Sequence, residues 1–327
     1  MSVPLSLIDF ATIFEGERPG DSFRRSVAMA QKAESLGFKR IWYAEHHNMP
    51  SISSSSPAVL ISHIGAHTKT IRLGAGGVML PNHSPYVIAE QFGTLAELYP
   101  DRIDLGLGRA PGTDMNTLRA LRREPSSAEY FPQDVVELHS YLAGRSRLPG
   151  VEAIPGKGTN VPLYILGSSL FGAQLAAQLG LPYSFASHFA PTHLEQAVST
   201  YRETYQPSEQ HPEPYVIAAV NVTAADTVET AQEHFADVAR ARVRSMAARG
   251  RTITDEQLDA IMDSPSGRQI VDMLRYTAIG TGAEVKEFLE DFTQIAQADE
   301  LMISLQSPDT ETTARSMEIL ADTWITD

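Results

Sequence analysis

The 327-residue sequence contains no cysteine, which excludes disulfides and thiolate metal sites. It is also poor in cations for its acids: Lys and Arg number 26 against 40 Asp and Glu, a formal net charge of −14. A polyanion such as nucleic acid is an unsuitable partner, because no surplus of cationic side chains exists to displace its counterions. Long apolar runs are missing. No stretch reaches the ~18 residues of a membrane-spanning helix, and the first residues lack the basic-then-apolar order of a secretory leader. The expectation is a soluble, cytoplasmic protein without membrane association. Core material is plentiful: 43% of the residues are hydrophobic, enough at this length for a large buried interior.

Short β-forming runs alternate with helical patterns. The runs are Pro4–Ile8, Arg40–Ala44, Ile71–Met79, Arg102–Leu107, Pro162–Leu166, Pro182–Ala186, Tyr215–Val222 and Leu301–Leu305. Helix starts are marked by Asp21 or Ser22, by Ser56-Pro57, Ser84-Pro85 and Ser307-Pro308, and by the capping boxes Thr254…Gln257 and Thr281…Glu284. Gly37 and Gly180 stand where helices stop. Eight strands alternating with helices predict an α/β chain with a parallel sheet, and eight is the number that closes a TIM-type (β/α)8 barrel. An open doubly wound sheet is the alternative. With no composition break and no repeat, residues 1–327 are expected to form a single domain. Two long insertions, 108–132 and roughly 249–281, follow strands four and seven. They fall on the ligand-facing side of a barrel, as decoration or as lids.

Four clusters sit at strand ends. The second strand runs into Glu45-His46-His47. Neighbours on a strand point to opposite sides, and strand eight ends in Ser304-Leu305-Gln306 without a carboxylate, so a shared metal ion is a poor reading. An imidazole working as acid, base or hydrogen-bond donor is favoured; one merely satisfied by Glu45 or by backbone is the alternative. Gly74, Gly76 and Gly77 lie inside the third strand, which suggests either a bulge or close approach of a flat ligand. "DLGLGRAPG" imitates a dinucleotide fingerprint, but Pro111 stands where glycine is needed and no helix opens there. Arg109 is better suited to a phosphate or carboxylate; an ordinary exposed surface arginine is the alternative. Finally Gly167-Ser168-Ser169 joins a strand directly to a helix, whose free N–H groups and dipole suit a phosphate. Ser187 and His188 end strand six on the same rim.

The order and spacing of "LSLIDF", "WYAEHH", "GGVMLPNHSP", "AEQFGTLAELYPDRIDLGLGRAPG", "AAQLGLP" and "IGTGAEVKEFL" resemble the bacterial luciferase-like flavin monooxygenases through nearly the whole chain. The resemblance implies a TIM-type barrel that uses reduced FMN, supplied by a separate NAD(P)H-dependent flavin reductase, and molecular oxygen through a flavin 4a-peroxide. It implies a homodimer formed by the helices after strands two and three. It also makes His46 the essential histidine, Gly76-Gly77 a cis peptide beneath the flavin ring and Arg109 the phosphate-binding arginine. Ser168 and Ser169 become the phosphate loop, with Gly172 near it. Ser168 replaces the acidic residue of the luminescent enzyme and the reactive thiol is missing, so light emission is not implied. Asp9, Phe10 and Met79 are expected to line the pocket, and the small organic substrate is not encoded legibly. The competing functions are deazaflavin-dependent hydride transfer on the same fold and non-catalytic flavin binding.

Overall fold

A computed structural model describes residues 2–14, 16–110, 112–248 and 253–325. Pro111 and residues 249–252, at the head of the second insertion, lie outside the described residues. Among the described residues nine strands are formed: β1 (Leu5–Asp9), β2 (Arg40–Tyr43), β3 (Arg72–Met79), β4 (Ile103–Gly108), β5 (Leu163–Gly167), β6 (Tyr183–Phe185), β7 (Val216–Ala224), β8 (Thr277–Gly280) and β9 (Glu300–Leu305). Each of β1 to β6 pairs in parallel with the next strand, β6 pairs with β7, β7 with β9, and β9 returns to β1. The ring is closed, a TIM-type barrel of eight strands in an α/β fold. The short β8 stands outside it, paired with Asn221–Ala224 at the far end of β7.

Three local expectations need correction. The second insertion contains β8, which the sequence reading passed over; its four residues are too few to show a period. The first helix begins at Pro19 rather than at Asp21 or Ser22, because proline is at home in a first turn and the Asp21 carboxylate accepts the Arg18 N–H (2.8 Å). The last helix begins at Thr310 with Asp309, not Ser307, as its cap. Gly37 and Gly180 do stop their helices, at φ 86° and 62°. No helix among the described residues is long and apolar enough to cross a membrane.

Two apolar layers follow from strand alternation. Outward-facing residues such as Ile41, Leu73, Leu105 and Ile303 pack beneath the helices, while Trp42, Tyr164, Ile217, Ala219 and Met302 fill the barrel's interior. The glycines of β3 make room for Trp42. A Cβ on Gly74 would lie 2.7 Å from its indole ring, and one on Gly76 would lie 2.9 Å from its Cβ. A Cβ on Gly77 would instead strike the Gly106 carbonyl oxygen of β4 at 2.7 Å. The β3–β4 register slips between Ala75 and Val78, so the bulge expected at this glycine run is present.

The end of the barrel where the strands begin is charged. Arg40, almost fully buried, donates to Asp104 (2.7 Å), Tyr164 (2.8 Å) and Glu300 (3.1 Å). Glu300 also accepts from Lys39 (2.9 Å) and Tyr215 (2.7 Å). Replacing Arg40 with methionine is expected to cost about 3–5 kcal/mol, since it removes the buried cation that two buried carboxylates share and leaves only the partly exposed Arg72 and Lys39 beside them. Urea unfolding checks this, and a loss under about 1 kcal/mol, the range of an exposed pair, would contradict it.

Candidate active site

At the opposite end, where the strands finish, the chain leaving β2 places Glu45 out of solvent entirely. Its carboxylate accepts from the Met79 N–H (3.0 Å) at the end of β3, from His47 Nε2 (2.8 Å) and from His83 Nε2 (2.8 Å). Burial alone would raise its pKa, but the hydrogen bonds from His47, His83 and Met79 outweigh burial and hold it at about 2. One anion thus ties the exits of β2 and β3 together. His47 therefore has a supporting role: its ring Nε2 is spent on Glu45, and its backbone N–H donates to the Gly112 carbonyl (3.3 Å).

His46 points elsewhere. Its backbone N–H is held by the Ser54 carbonyl (2.9 Å), and its ring lies 5.8 Å from that of Phe10. Phe10 in turn lies 6.1 Å from the ring of His188. Burial lowers the His46 pKa below the usual 6.5, against the pull of Glu45. Burial, then the positive charge of Arg242 and the neighbouring His46, push His188 down to about 3. Both imidazoles are therefore neutral near pH 7. In each, Nδ1 is buried without a hydrogen-bond partner among the described residues. Buried polar atoms left open in this way are uncommon and mark a place for a ligand or a water. The alternative of an imidazole merely satisfied by Glu45 is removed for His46; that description fits His47.

Apart from Gly76 and Gly77 within β3, the remaining predicted residues lie on the rim formed by β4, β5 and β6. Arg109, one residue past β4, has no carboxylate partner among the described residues and sits over the Phe171 ring at 4.0 Å. Ser169 is the N-cap of the helix Leu170–Leu179, yet its hydroxyl makes no capping bond. Ser168 and Gly172 flank it, and a Cβ at Gly172 would press on Tyr183 at 3.3 Å. The Gly76–Gly77 peptide is cis, as the resemblance implied. Ser187 is differently used: fully buried, it donates its hydroxyl to the Ala219 carbonyl at 2.5 Å and braces β6 against β7. It has no proton left to offer a phosphate.

The insertion after β4 is fastened to this rim. Asn48 donates to Asp114 (3.0 Å), and Arg123 donates to the Asn82 carbonyl (3.2 Å). His83 and Arg242 were missed by sequence reasoning. The partnership of His83 with Glu45 spans 38 positions, and no local pattern announces it. Arg242 did leave a trace: it falls on the apolar stripe of its helix beside Ala239 and Val243.

The unspent imidazole, the stacked arginine and the uncapped serine stand at the C-terminal rim of a closed eight-strand parallel barrel, the end at which enzymes of this barrel class carry their active sites. Residues 5–298 match the luciferase-like monooxygenase family. The chain belongs to that family, and is an oxygen-incorporating oxidoreductase. A luciferase-like monooxygenase of Escherichia coli strain K12 is 43% identical over 98% of this chain and 97% of its own. The N-acetyl-S-alkylcysteine monooxygenase of Bacillus subtilis is 33% identical over 90% of this chain and 89% of its own. The crystal structure of apo-MsnO8 superposes with a TM-score of 0.88 at 34% identity, covering 99% of both chains.

The low pKa of His188 has a consequence for stability. An unfolded chain takes up this proton near pH 6.5, whereas the folded protein resists until about pH 3. Across that window the unfolded state binds more protons, so stability falls as pH falls and levels off below the folded pKa. His188→Gln is expected to give a shallower decline of Tm from pH 6.5 towards about 3 than the parent protein. Parallel Tm curves would remove His188 from the acid response.

Proposed function

We propose that the protein is the oxygenase of a two-component system: it takes reduced FMN from a separate NAD(P)H-dependent flavin reductase and uses molecular oxygen on a small organic substrate. The family works with flavins, and the rim residues suit FMN in particular. The observation that carries the reading is Arg109, stacked on Phe171 without a carboxylate partner among the described residues, beside a helix N-terminus whose Ser169 cap is unspent. A guanidinium, hydroxyls and free N–H groups suit a phosphomonoester. The side-chain-free Gly76–Gly77 peptide suits the approach of a flat ring.

Bound reduced flavin would supply the electrons that activate oxygen. This chain's residues would do the rest. Arg109, Ser168 and Ser169 anchor the phosphate and so orient the ring. Neutral His46 hydrogen-bonds oxygen or moves one proton at its open Nδ1, a contribution of about 10²–10⁴-fold in comparable roles. Phe10, packed against both imidazoles, and the fastened 112–132 segment keep water from the reacting atoms.

Arg109→Met is expected to weaken FMN binding about 10–150-fold, the worth of a hydrogen bond to a charged group, while sparing riboflavin. Calorimetry with both ligands reads the difference. A protein that binds neither, or that keeps the deazaflavin cofactor instead, contradicts the proposal. His46→Ala should retain FMN yet release hydrogen peroxide in place of product; undiminished substrate oxidation would exclude His46 from the chemistry.

The homodimer belongs to the same proposal. The helix Pro57–Gly65 leaves Val59 69% exposed, and the helix Pro85–Leu98 leaves Val87 and Leu98 43% and 56% exposed. Val59→Asp combined with Leu98→Asp is expected to yield monomers by light scattering. A dimer that survives both charges would place the interface elsewhere.

A further inference from the structure

The helix Val228–Ala248 follows β7, and its Arg242 lies within electrostatic reach of both His46 and His188. It carries arginines at alternate positions, Arg240, Arg242 and Arg244. Two residues on a helix are separated by about 200°, so the middle arginine faces away from its neighbours. Those neighbours are spent on the second insertion: Arg240 donates to Asp259 (2.5 Å), and Arg244 to Asp255 (2.6 Å) and the Ile253 carbonyl (2.9 Å). Arg242 lies on the other side, half-buried beside the buried Ala239 and Val243. Its charge reaches both His46 and His188 and lowers the basicity of each.

Arg242 has no acceptor among the described residues. Every other described arginine that is at least half-buried has one. Arg25 binds Glu17, Arg40 and Arg72 bind Asp104, Arg102 binds Thr68, Arg123 binds the Asn82 carbonyl, and Arg202 binds Asp299. The carboxylates near the mouth are already committed. Glu45 is held by Met79, His47 and His83, and Asp9 accepts from Ser26 (2.5 Å) and the Ala11 N–H (2.7 Å). Neutral imidazoles supply no counter-charge. A partly desolvated guanidinium within electrostatic reach of His46 thus meets no anion among the described residues.

We infer that Arg242 is the specificity residue of the active site, and that the substrate bears a carboxylate gripped by its guanidinium fork. The inference rests on the proposed monooxygenase function and adds its substrate class. A planar, permanently charged fork matches a carboxylate by two parallel hydrogen bonds, which a lysine cannot reproduce. Fixing one end of a small molecule at Arg242 leaves its other end free to lie towards His46. An uncharged analogue would lose this grip and leave the guanidinium unpaired.

The test uses γ-(methylthio)butyrate and its amide, equal in size and differing in charge, titrated by calorimetry into the FMN-loaded protein. The parent protein is expected to prefer the acid by about 10-fold or more. R242M and R242Q should bind both probes alike, and R242K should keep part of the preference. FMN affinity should be unchanged in all three. Absence of a preference in the parent protein, or a preference that survives in the folded R242M or R242Q variant, overturns the inference. So does a loss of FMN relative to riboflavin in those variants, which would assign Arg242 to the cofactor's phosphate. If the parent protein takes no FMN but still prefers the acid, the flavin reading fails and the anion receptor stands.

Discussion

The buried carboxylate of Glu45 organises the rim. A carboxylate without solvent survives only if its lone pairs are met, and here they are met by groups from two strand exits and the turn after β3. The backbone is thereby fixed on either side of His46, while His46 itself takes no part in the cluster. This separates two duties that adjacent histidines would otherwise share. His47 is consumed in support, and His46 retains an open Nδ1. Removing Glu45 would therefore act on His46 through the path of the backbone and through the loss of its charge, not through a lost hydrogen bond.

The two ends of the barrel use charge in opposite ways. At the strand starts Arg40, Asp104 and Glu300 satisfy one another, and that end is closed electrostatically. At the strand ends His46 and His188 are neutral because burial opposes their protonation. Arg109 and Arg242 lack carboxylate partners among the described residues. Such a site has a net appetite for anions although the whole chain carries a charge of −14. Overall charge governs solubility and long-range encounter; local pairing decides what binds.

Much of the architecture is legible in the sequence because strand and helix periods differ and punctuation is strong. Ser56-Pro57 and Ser84-Pro85 open helices where expected, and Gly37 and Gly180 end them. β8 escapes because four residues carry no periodic signal. The position of His46 at a strand end is equally legible, since strand direction sends every exit to one rim. The use of Ser187 is not. Whether a buried hydroxyl turns to a ligand or to a wall carbonyl depends on β7, more than 30 residues away. The glycines of β3 show a further limit: they are required at once by the Trp42 ring and by the chain's approach to β4, so a packing demand and a ligand demand leave the same letters in the sequence.

The insertions explain how one barrel can change substrates without rebuilding its rim. The segment after β4 is fastened to the Glu45–Asn82 region by hydrogen bonds from Asn48, His47 and Arg123. The helix after β7 is different: its outer arginines are tied to Asp255 and Asp259 in the helix that follows, not to the barrel. Its inner face can therefore change while the outer anchorage holds. The side chain at position 242 is consequently separable from both the phosphate end and the Glu45 cluster. Chemistry is held by residues that lock one another in place, and selectivity by one that does not.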